Sequence, residues 1–245
     1  MSALLAPHAV TWRIATVADL IHETETAVTI VLDVPNWPGH VAGQHIDIRL
    51  TAPDGYQTQR SYSISSAPED DRLALTVERI DDGEVSPYLA GVLEPGDELE
   101  LRGPIGGHFT WRVEDGGPLL LVAGGSGLAP LMSMLRHRAA RASDVDTRLL
   151  LSARAVADVL FAGELHDAPG LMIHRTLTRE RPDDWDGYAR RVDGAMLQEI
   201  GPPPAERPHV FVCGPTGFVE AVADALVELG HDPSDIHAER FGPTG

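Results

Sequence analysis

Residues 118–135 read PLLLVAGGSGLAPLMSML, and this stretch decides the fold. Leu119 to Val122 form an unbroken apolar run, as expected of a strand buried on both faces of a parallel sheet. Gly124, Gly125 and Gly127 then surround Ser126, and Leu128, Leu131, Met132 and Leu135 follow at helical spacing. Pro130 falls in the first helical turn, where a missing N–H is tolerated. A strand, a glycine-rich turn and a helix start gather free backbone N–H groups at the positive end of a helix dipole. That geometry suits a phosphate or pyrophosphate. An ordinary βα turn, with glycines serving only positive φ, has the same local pattern. The stretch is not GxGxxG, so the usual dinucleotide fingerprint does not apply.

Toward the C-terminus the same architecture continues. Asp115-Gly116-Gly117-Pro118 reads as a linker. After it, strands at 119–123, 147–152, 171–177, 210–213 and 236–239 alternate with helices to about residue 140, around 159–165, near 194–200 and over 218–229. Such alternation predicts a parallel sheet with helices on both faces and ligands beyond the carboxyl ends of the strands. The turns there supply Gly124 to Gly127, Arg154, Arg179 and Cys213-Gly214-Pro215, all projecting toward one crevice. Arg154 and Arg179 suit the paired hydrogen bonds that hold an adenosine phosphate, although a loop arginine is as often simply solvated. Cys213 ends an apolar strand, which fits an inert buried thiol as well as a functional thiol at the strand tip.

Upstream of the linker the period changes to two. Val28, Ile30, Leu32 and Val34 alternate with Thr29 and Asp33, and Ile46, Ile48 and Leu50 with His45, Asp47 and Arg49. Leu73, Leu75 and Val77, then Leu99 and Leu101, repeat the pattern. Each segment predicts a half-buried antiparallel strand. The turns Asn36-Trp37-Pro38-Gly39, Pro53-Asp54-Gly55, Asp81-Asp82-Gly83 and Pro95-Gly96-Asp97 separate them, so a closed antiparallel barrel is expected. Within it, Arg60-Ser61-Tyr62-Ser63 sets Arg60 and Tyr62 on one strand face and Ser63 on the other. Arginine clamps phosphate bidentately, and tyrosine offers a flat stacking surface. Gly83-Glu84-Val85-Ser86-Pro87 reads as a turn into a short helix, with Ser86 as N-cap and Pro87 at the first helical position.

Composition narrows the function. The formal charge of −18 and the absence of a basic run argue against nucleic acid. All 19 basic residues are arginine, which excludes Schiff-base and Walker-type lysine chemistry. Cys213 is the single cysteine, so no internal disulfide and no iron–sulfur cluster held by this chain alone is expected. The 11 histidines show no HxH, HxxxH or HExxH pairing, and no metal is expected. No run reaches the ~18 apolar residues of a membrane span. The N-terminus lacks a basic region ahead of its apolar patch, so no signal peptide or membrane association is expected and cytoplasmic residence follows.

Assembled in order, these motifs resemble the ferredoxin–NADP reductase family over nearly the whole chain. RSYS at Arg60–Ser63 and GEVS at Gly83–Ser86 are similar to its two flavin motifs. GPIGGHF at Gly103–Phe109 looks like its barrel-closing loop, and VAGGSGLAP like its nicotinamide-cofactor loop. CGP at Cys213–Pro215 and ERFG at Glu239–Gly242 complete the set. The resemblance implies a six-stranded antiparallel β-barrel flavin domain (residues 1–113) followed by a five-stranded parallel α/β nicotinamide-nucleotide domain (residues 114–245). Arg60 and Ser61 would bind FAD, with Arg60 on the pyrophosphate. Tyr62 would pack on the isoalloxazine, and Ser63 would hydrogen-bond near N5. Val77 would add a backbone contact, and Gly83, Val85 and Ser86 would hold phosphate. Gly124, Gly125, Ser126 and Gly127 would take the nicotinamide coenzyme's pyrophosphate, and Cys213, Gly214 and Pro215 would line the nicotinamide pocket. Ser63, Cys213 and Glu239 would form the catalytic set.

The implied reaction is hydride transfer from NAD(P)H to FAD, then electron transfer to a separate acceptor. The family often carries a plant-type iron–sulfur domain that this sequence lacks, hence a ferredoxin-like protein or a small-molecule acceptor as partner. The sequence stops soon after ERFG without an aromatic terminus, which makes Phe241 a partial cover for the flavin. Arg154 and Arg179 favour NADPH, with NADH also possible. Reduction of free flavin or ferric chelates is a second reading, and a non-catalytic nucleotide-binding regulatory subunit a third. Nothing in the sequence sets the oligomeric state.

Overall fold

The computed structural model describes residues 10–166, 168 and 170–242. Strands β1 (Trp12–His22), β2 (Ala27–Asp33), β3 (His45–Thr51), β4 (Gln57–Ser63), β5 (Leu73–Glu78) and β6 (Glu98–Ile105) make an antiparallel sheet in the order β4-β3-β6-β1-β2-β5. Its edges meet just past β4. Ile64 bridges Leu75 of β5, and Ser65 N–H donates to Ala74 O at 2.8 Å. The sheet is thereby closed into a barrel around Ile30, Leu32, Ile46, Ile48, Leu75, Leu99 and Leu101, all buried. Short helix α1 (Ser86–Gly91) adds Leu89 to that core.

No alternation in the sequence marks β1. Only Ala15 and Val17 are buried along much of it, Ile14 and Ile21 are each 47% exposed, and a register shift between Val17 and Asp19 breaks the period. The helix after the GEVS turn is capped by Val85 rather than Ser86, and Pro87 is its second residue rather than its first. The Ser86 hydroxyl instead accepts the Ile80 N–H at 3.1 Å, a donor that the turn folds back beside it.

The second sheet is parallel: β7 (Leu119–Gly124), β8 (Thr147–Ala153), β9 (Leu171–Leu177), β10 (His209–Pro215) and β11 (Ile236–Phe241), ordered β11-β10-β7-β8-β9. As the apolar run requires, β7 is buried from end to end. Helices α2 (Leu128–Ala140) and α3 (Ala162–His166) cover one face, and α4 (Gly194–Ile200) and α5 (Thr216–Glu228) the other. The helix expected around 159–165 is resolved into a 3₁₀ turn at Val156–Asp158 and the five-residue α3. Between them Phe161 takes φ +54°, which no regular helix allows. The order in which strands are added reverses between β7 and β10, the place where such parallel sheets open a crevice.

The barrel and the α/β layer share a core. Ala27, Phe109 and Trp111 pack with α2 and β10, and Phe109 meets Phe211 edge-on at 5.2 Å. Strand β5 is consequently buried on both sides, not half-buried as its alternation predicts. Its Thr76 hydroxyl is buried against those of Thr29 (2.9 Å) and Ser65 (3.1 Å). Across the seam Ser133 Oγ donates to Ser66 O at 2.6 Å, Arg136 to Ser65 O at 2.7 Å, and His137 pairs with Glu69 at 2.8 Å.

Candidate functional site

At the reversal point β7 runs into a 3₁₀ turn, Gly125–Gly127, and then α2. Neither start carries a side-chain cap, so the N–H groups of the first turn are left without a side-chain acceptor. Each glycine has its own reason to be there. A Cβ on Gly124 would stand 2.8 Å from the Phe218 ring, on Gly127 2.1 Å from Cys213 O, and on Gly214 2.8 Å from Phe218. These three let β7, β10 and the start of α2 approach closely. Gly125 differs: its φ is +56°, and a Cβ there would meet open space. The result is a helix-dipole cradle with room for a pyrophosphate.

That room is a cleft of about 270 Å³ shared by both layers. Gly124, Gly125, Ser126, Pro215, Phe218 and Phe241 form one wall, and Ser152 to Arg154, Asp158, Leu160 and Thr178 another. The barrel contributes Thr24, Thr26, Ala27 and Glu78. Arg154 bonds Asp158 at 3.1 Å and lies 4.0 Å from Glu78, with half of its side chain exposed. Arg179 is outside the lining but its loop is tied to that of Arg154, its N–H donating to Arg154 O at 3.0 Å.

Cys213 and Glu239 are opposed in the parallel register of β10 and β11, two residues ahead of the Pro215–Phe241 pair at the cleft. Burial pushes the Cys213 thiol up strongly, and the neighbouring Glu239 carboxylate adds to this. Burial also lifts Glu239 to about 7. Ser63 stays on the barrel, paired with His45 at the end of β4. Ser65 and Ser66, just beyond it, are the residues gripped by α2.

The RSYS motif, Arg60–Ser63, lies along β4. Arg60 is half exposed and reaches Glu84 Oε2 at 3.0 Å. Tyr56 and Thr58 donate to the same carboxylate, each at 3.2 Å, and the three together hold Glu84 below the usual carboxylate range, the Tyr56 and Thr58 hydrogen bonds foremost. Tyr62 packs on the barrel core, and burial pushes its phenol to about 12. The Ser61 hydroxyl donates to Asp47 at 2.6 Å, which in turn pairs with Arg102 at 2.8 Å. Val77 and Val85 are buried, so only their backbones are available to a ligand. Gly83 closes its turn through a 2.8 Å bond from its N–H to Ile80 O.

Residues 18–111 match the oxidoreductase FAD-binding domain family, and residues 121–224 match the oxidoreductase NAD-binding domain family. Ferredoxin–NADP reductase B of Sorangium cellulosum is 35% identical over 210 residues, 82% of this chain and 84% of that protein. The chain belongs to the ferredoxin–NADP reductase family.

Other members of the family vary in size. The glycine betaine monooxygenase reductase subunit of Chromohalobacter salexigens is 36% identical over 209 residues, 82% of this chain but 56% of that protein. The chain thus spans little more than half the length of that relative. Among solved structures, the flavohem-like FAD/NAD-binding domain of nitric oxide dioxygenase from Vibrio cholerae O1 superposes with a TM-score of 0.83 at 27% identity, covering 94% of this chain and 99% of that one. A ferredoxin–NADP⁺ reductase from Neisseria gonorrhoeae with bound FAD and NADP has the same fold, with a TM-score of 0.81 at 22% identity over 95% of this chain and 99% of that one.

In this ferredoxin–NADP reductase relative, Gly124, Gly125, Ser126, Arg154, Pro215 and Phe241 line one cleft, and Arg179 does not. Gly127, Cys213 and Gly214 are packed behind it. The motifs did not disclose Thr24, Thr26, Glu78, Asp158, Leu160, Thr178 or Phe218. Asp158 alone had a local signal, standing four residues after Arg154. Thr24 and Thr26 come from a barrel turn far off in sequence, and no short-range pattern announces them.

Proposed function

We propose that the protein is an NAD(P)H-dependent flavin reductase that passes electrons to a separate acceptor, a ferredoxin or the iron–sulfur partner of an oxygenase. Residues 1–113 are taken as its FAD unit and 114–245 as its NAD(P) unit. The observation that carries the reading is the cleft at the sheet's reversal point, where a glycine cradle with open space above Gly125 faces the barrel. Bound FAD supplies the step from two-electron to one-electron transfer that nicotinamide cannot make alone.

The chain's own residues do the positioning. Arg60 is the cation for the FAD pyrophosphate, with its guanidinium half exposed and already oriented by Glu84. Tyr62 presents its ring, and Ser63 its hydroxyl, at the end of β4 that approaches α2. Gly125 and Ser126 take the coenzyme's pyrophosphate on backbone N–H groups. Arg154, backed by Arg179 on the adjoining loop, meets a 2′-phosphate and favours NADPH over NADH. Cys213 remains a neutral thiol that keeps water out beside the nicotinamide. Glu239, lifted to about 7, holds or yields a proton at its carboxylate near neutral pH.

The burial of Cys213 suits a dry transfer site. Cytoplasmic residence belongs to the same proposal; among the described residues no helix is long and apolar enough to cross a membrane. The test is anaerobic addition of NADPH, and separately NADH, to the FAD-loaded protein. Bleaching of the visible flavin band is expected, and its absence with both coenzymes overturns the reading. Turnover with a ferredoxin, cytochrome c and free FMN then ranks the acceptors.

A further inference from the structure

The turn between β1 and β2 belongs to the barrel in sequence, yet through Thr24 and Thr26 it lines the same cleft as the glycine cradle. It is a stiff turn. The N–H groups of Glu23 and Thr24 both donate to Ala27 O, at 3.0 and 3.3 Å, and Arg79 N–H donates to Thr26 O at 2.7 Å. Thr26 N–H donates to Thr24 Oγ1 at 3.3 Å, so the Thr24 hydroxyl acts there as acceptor and keeps its proton for another partner.

Glu23 leaves this turn and crosses the seam. Its Oε1 accepts from Thr29 Oγ1 at 2.7 Å, and its Oε2 accepts from Phe161 N–H at 3.1 Å. Phe161 holds the left-handed φ of +54°, strained for a bulky residue, and the residue before it, Leu160, lines the cleft. The Phe161 ring is buried with the Arg136 guanidinium 5.0 Å from its centre, and Arg136 is fixed in turn by Glu164 (2.6 Å) and by Ser65 O of the barrel (2.7 Å). One carboxylate therefore holds both the Thr29 hydroxyl of the barrel and the left-handed peptide that follows Leu160.

We propose that the β1–β2 turn is part of the nicotinamide-coenzyme site. Thr24 and Thr26 hydrogen-bond the pyrophosphate–ribose stretch, and Glu23 is the positioning residue that sets them against the α/β layer. This rests on the proposed function, which assigns the cleft to the coenzyme. The contacts involve groups that NADP⁺ and NAD⁺ share, so both should depend on them equally.

The test is calorimetric titration of the FAD-loaded protein with NADP⁺ and with NAD⁺. Thr24→Val with Thr26→Val removes two hydroxyls at nearly constant volume and is expected to weaken both coenzymes by the same factor, about fivefold or more. FAD content should stay as in the wild type, and melting should fall only by the one turn hydrogen bond that Thr24 Oγ1 accepts from Thr26 N–H. Glu23→Ala should weaken both coenzymes too, and Glu23→Gln, which keeps an oxygen for Phe161 N–H, should restore most of the loss. Unchanged affinities in the double valine variant overturn the inference. Equal impairment of the alanine and glutamine variants overturns the positioning role of Glu23. Failure of the wild type to bind either coenzyme sinks the proposed function instead, a distinct result.

Discussion

A Cβ on Gly127 would stand 2.1 Å from the carbonyl oxygen of Cys213, so the entry to α2 is pressed against the tip of β10 with no space for a methyl group. Gly127→Ala should therefore force the two apart and destabilise the fold by ~1–3 kcal/mol. Gly125→Ala should cost only ~1 kcal/mol, for the left-handed backbone, because its methyl would meet open space. That methyl projects where the coenzyme's pyrophosphate should lie, so Gly125→Ala should lose coenzyme affinity while remaining folded. Urea unfolding alongside NADP⁺ titration separates the two effects.

Glu239 should make stability fall as pH rises. Its folded value, about 7, lies above the ordinary 4.5, so the folded state binds the proton more tightly than the unfolded chain does. This contribution is complete below about pH 4.5 and is lost as pH rises through about 7. Glu239→Gln stays neutral throughout, and should gain ~1–2 kcal/mol on the wild type at pH 8. The gain should vanish near pH 4. Denaturant melts of both proteins at the two pH values measure it, and a constant difference would count against a buried, proton-binding carboxyl.

Cys213 should be chemically silent in the native protein. It is 2% exposed, and burial with the adjacent Glu239 disfavours the thiolate that alkylation requires. Iodoacetamide at pH 8 should label no thiol in the folded chain and one per chain in guanidinium, since the sequence holds a single cysteine. Native labelling at the unfolded rate would mean that the seam opens freely.

Arg154 should read the coenzyme's 2′-phosphate. Its guanidinium is half exposed, so the loss in Arg154→Ala is moderated by solvent; NADPH should weaken about tenfold and NADH stay nearly unchanged. Steady-state KM values for the two coenzymes decide it. A parallel loss for both would place Arg154 on the shared part of the molecule, beside Thr24 and Thr26.

What could be read from the sequence alone was whatever depends on near neighbours. The buried run Leu119–Val122, the glycine turn after it and the helix from Leu128 are set by backbone sterics and periodicity within a few residues, and the structure has them where the spacing puts them. The alternation of β2, β3, β5 and β6 likewise identified the residues that face a core. It could not tell what covers the opposite face, and Thr29 and Thr76 proved buried because another layer lies over them. Strand β1 has no regular alternation because a register shift between Val17 and Asp19 breaks its period. Ser86 is not a helix cap because the Ile80 N–H folds back within reach of its hydroxyl.

Tertiary structure alone decided which residues meet across the seam. Glu23 and Phe161 are 138 positions apart, and their hydrogen bond exists because a barrel and a parallel sheet, each with a local logic of its own, bury apolar surface against one another. Packing of that kind is summed over many side chains and leaves no periodic trace in any short stretch. The part of the cleft lined by Thr24, Thr26 and Leu160 therefore exists only where the two layers meet.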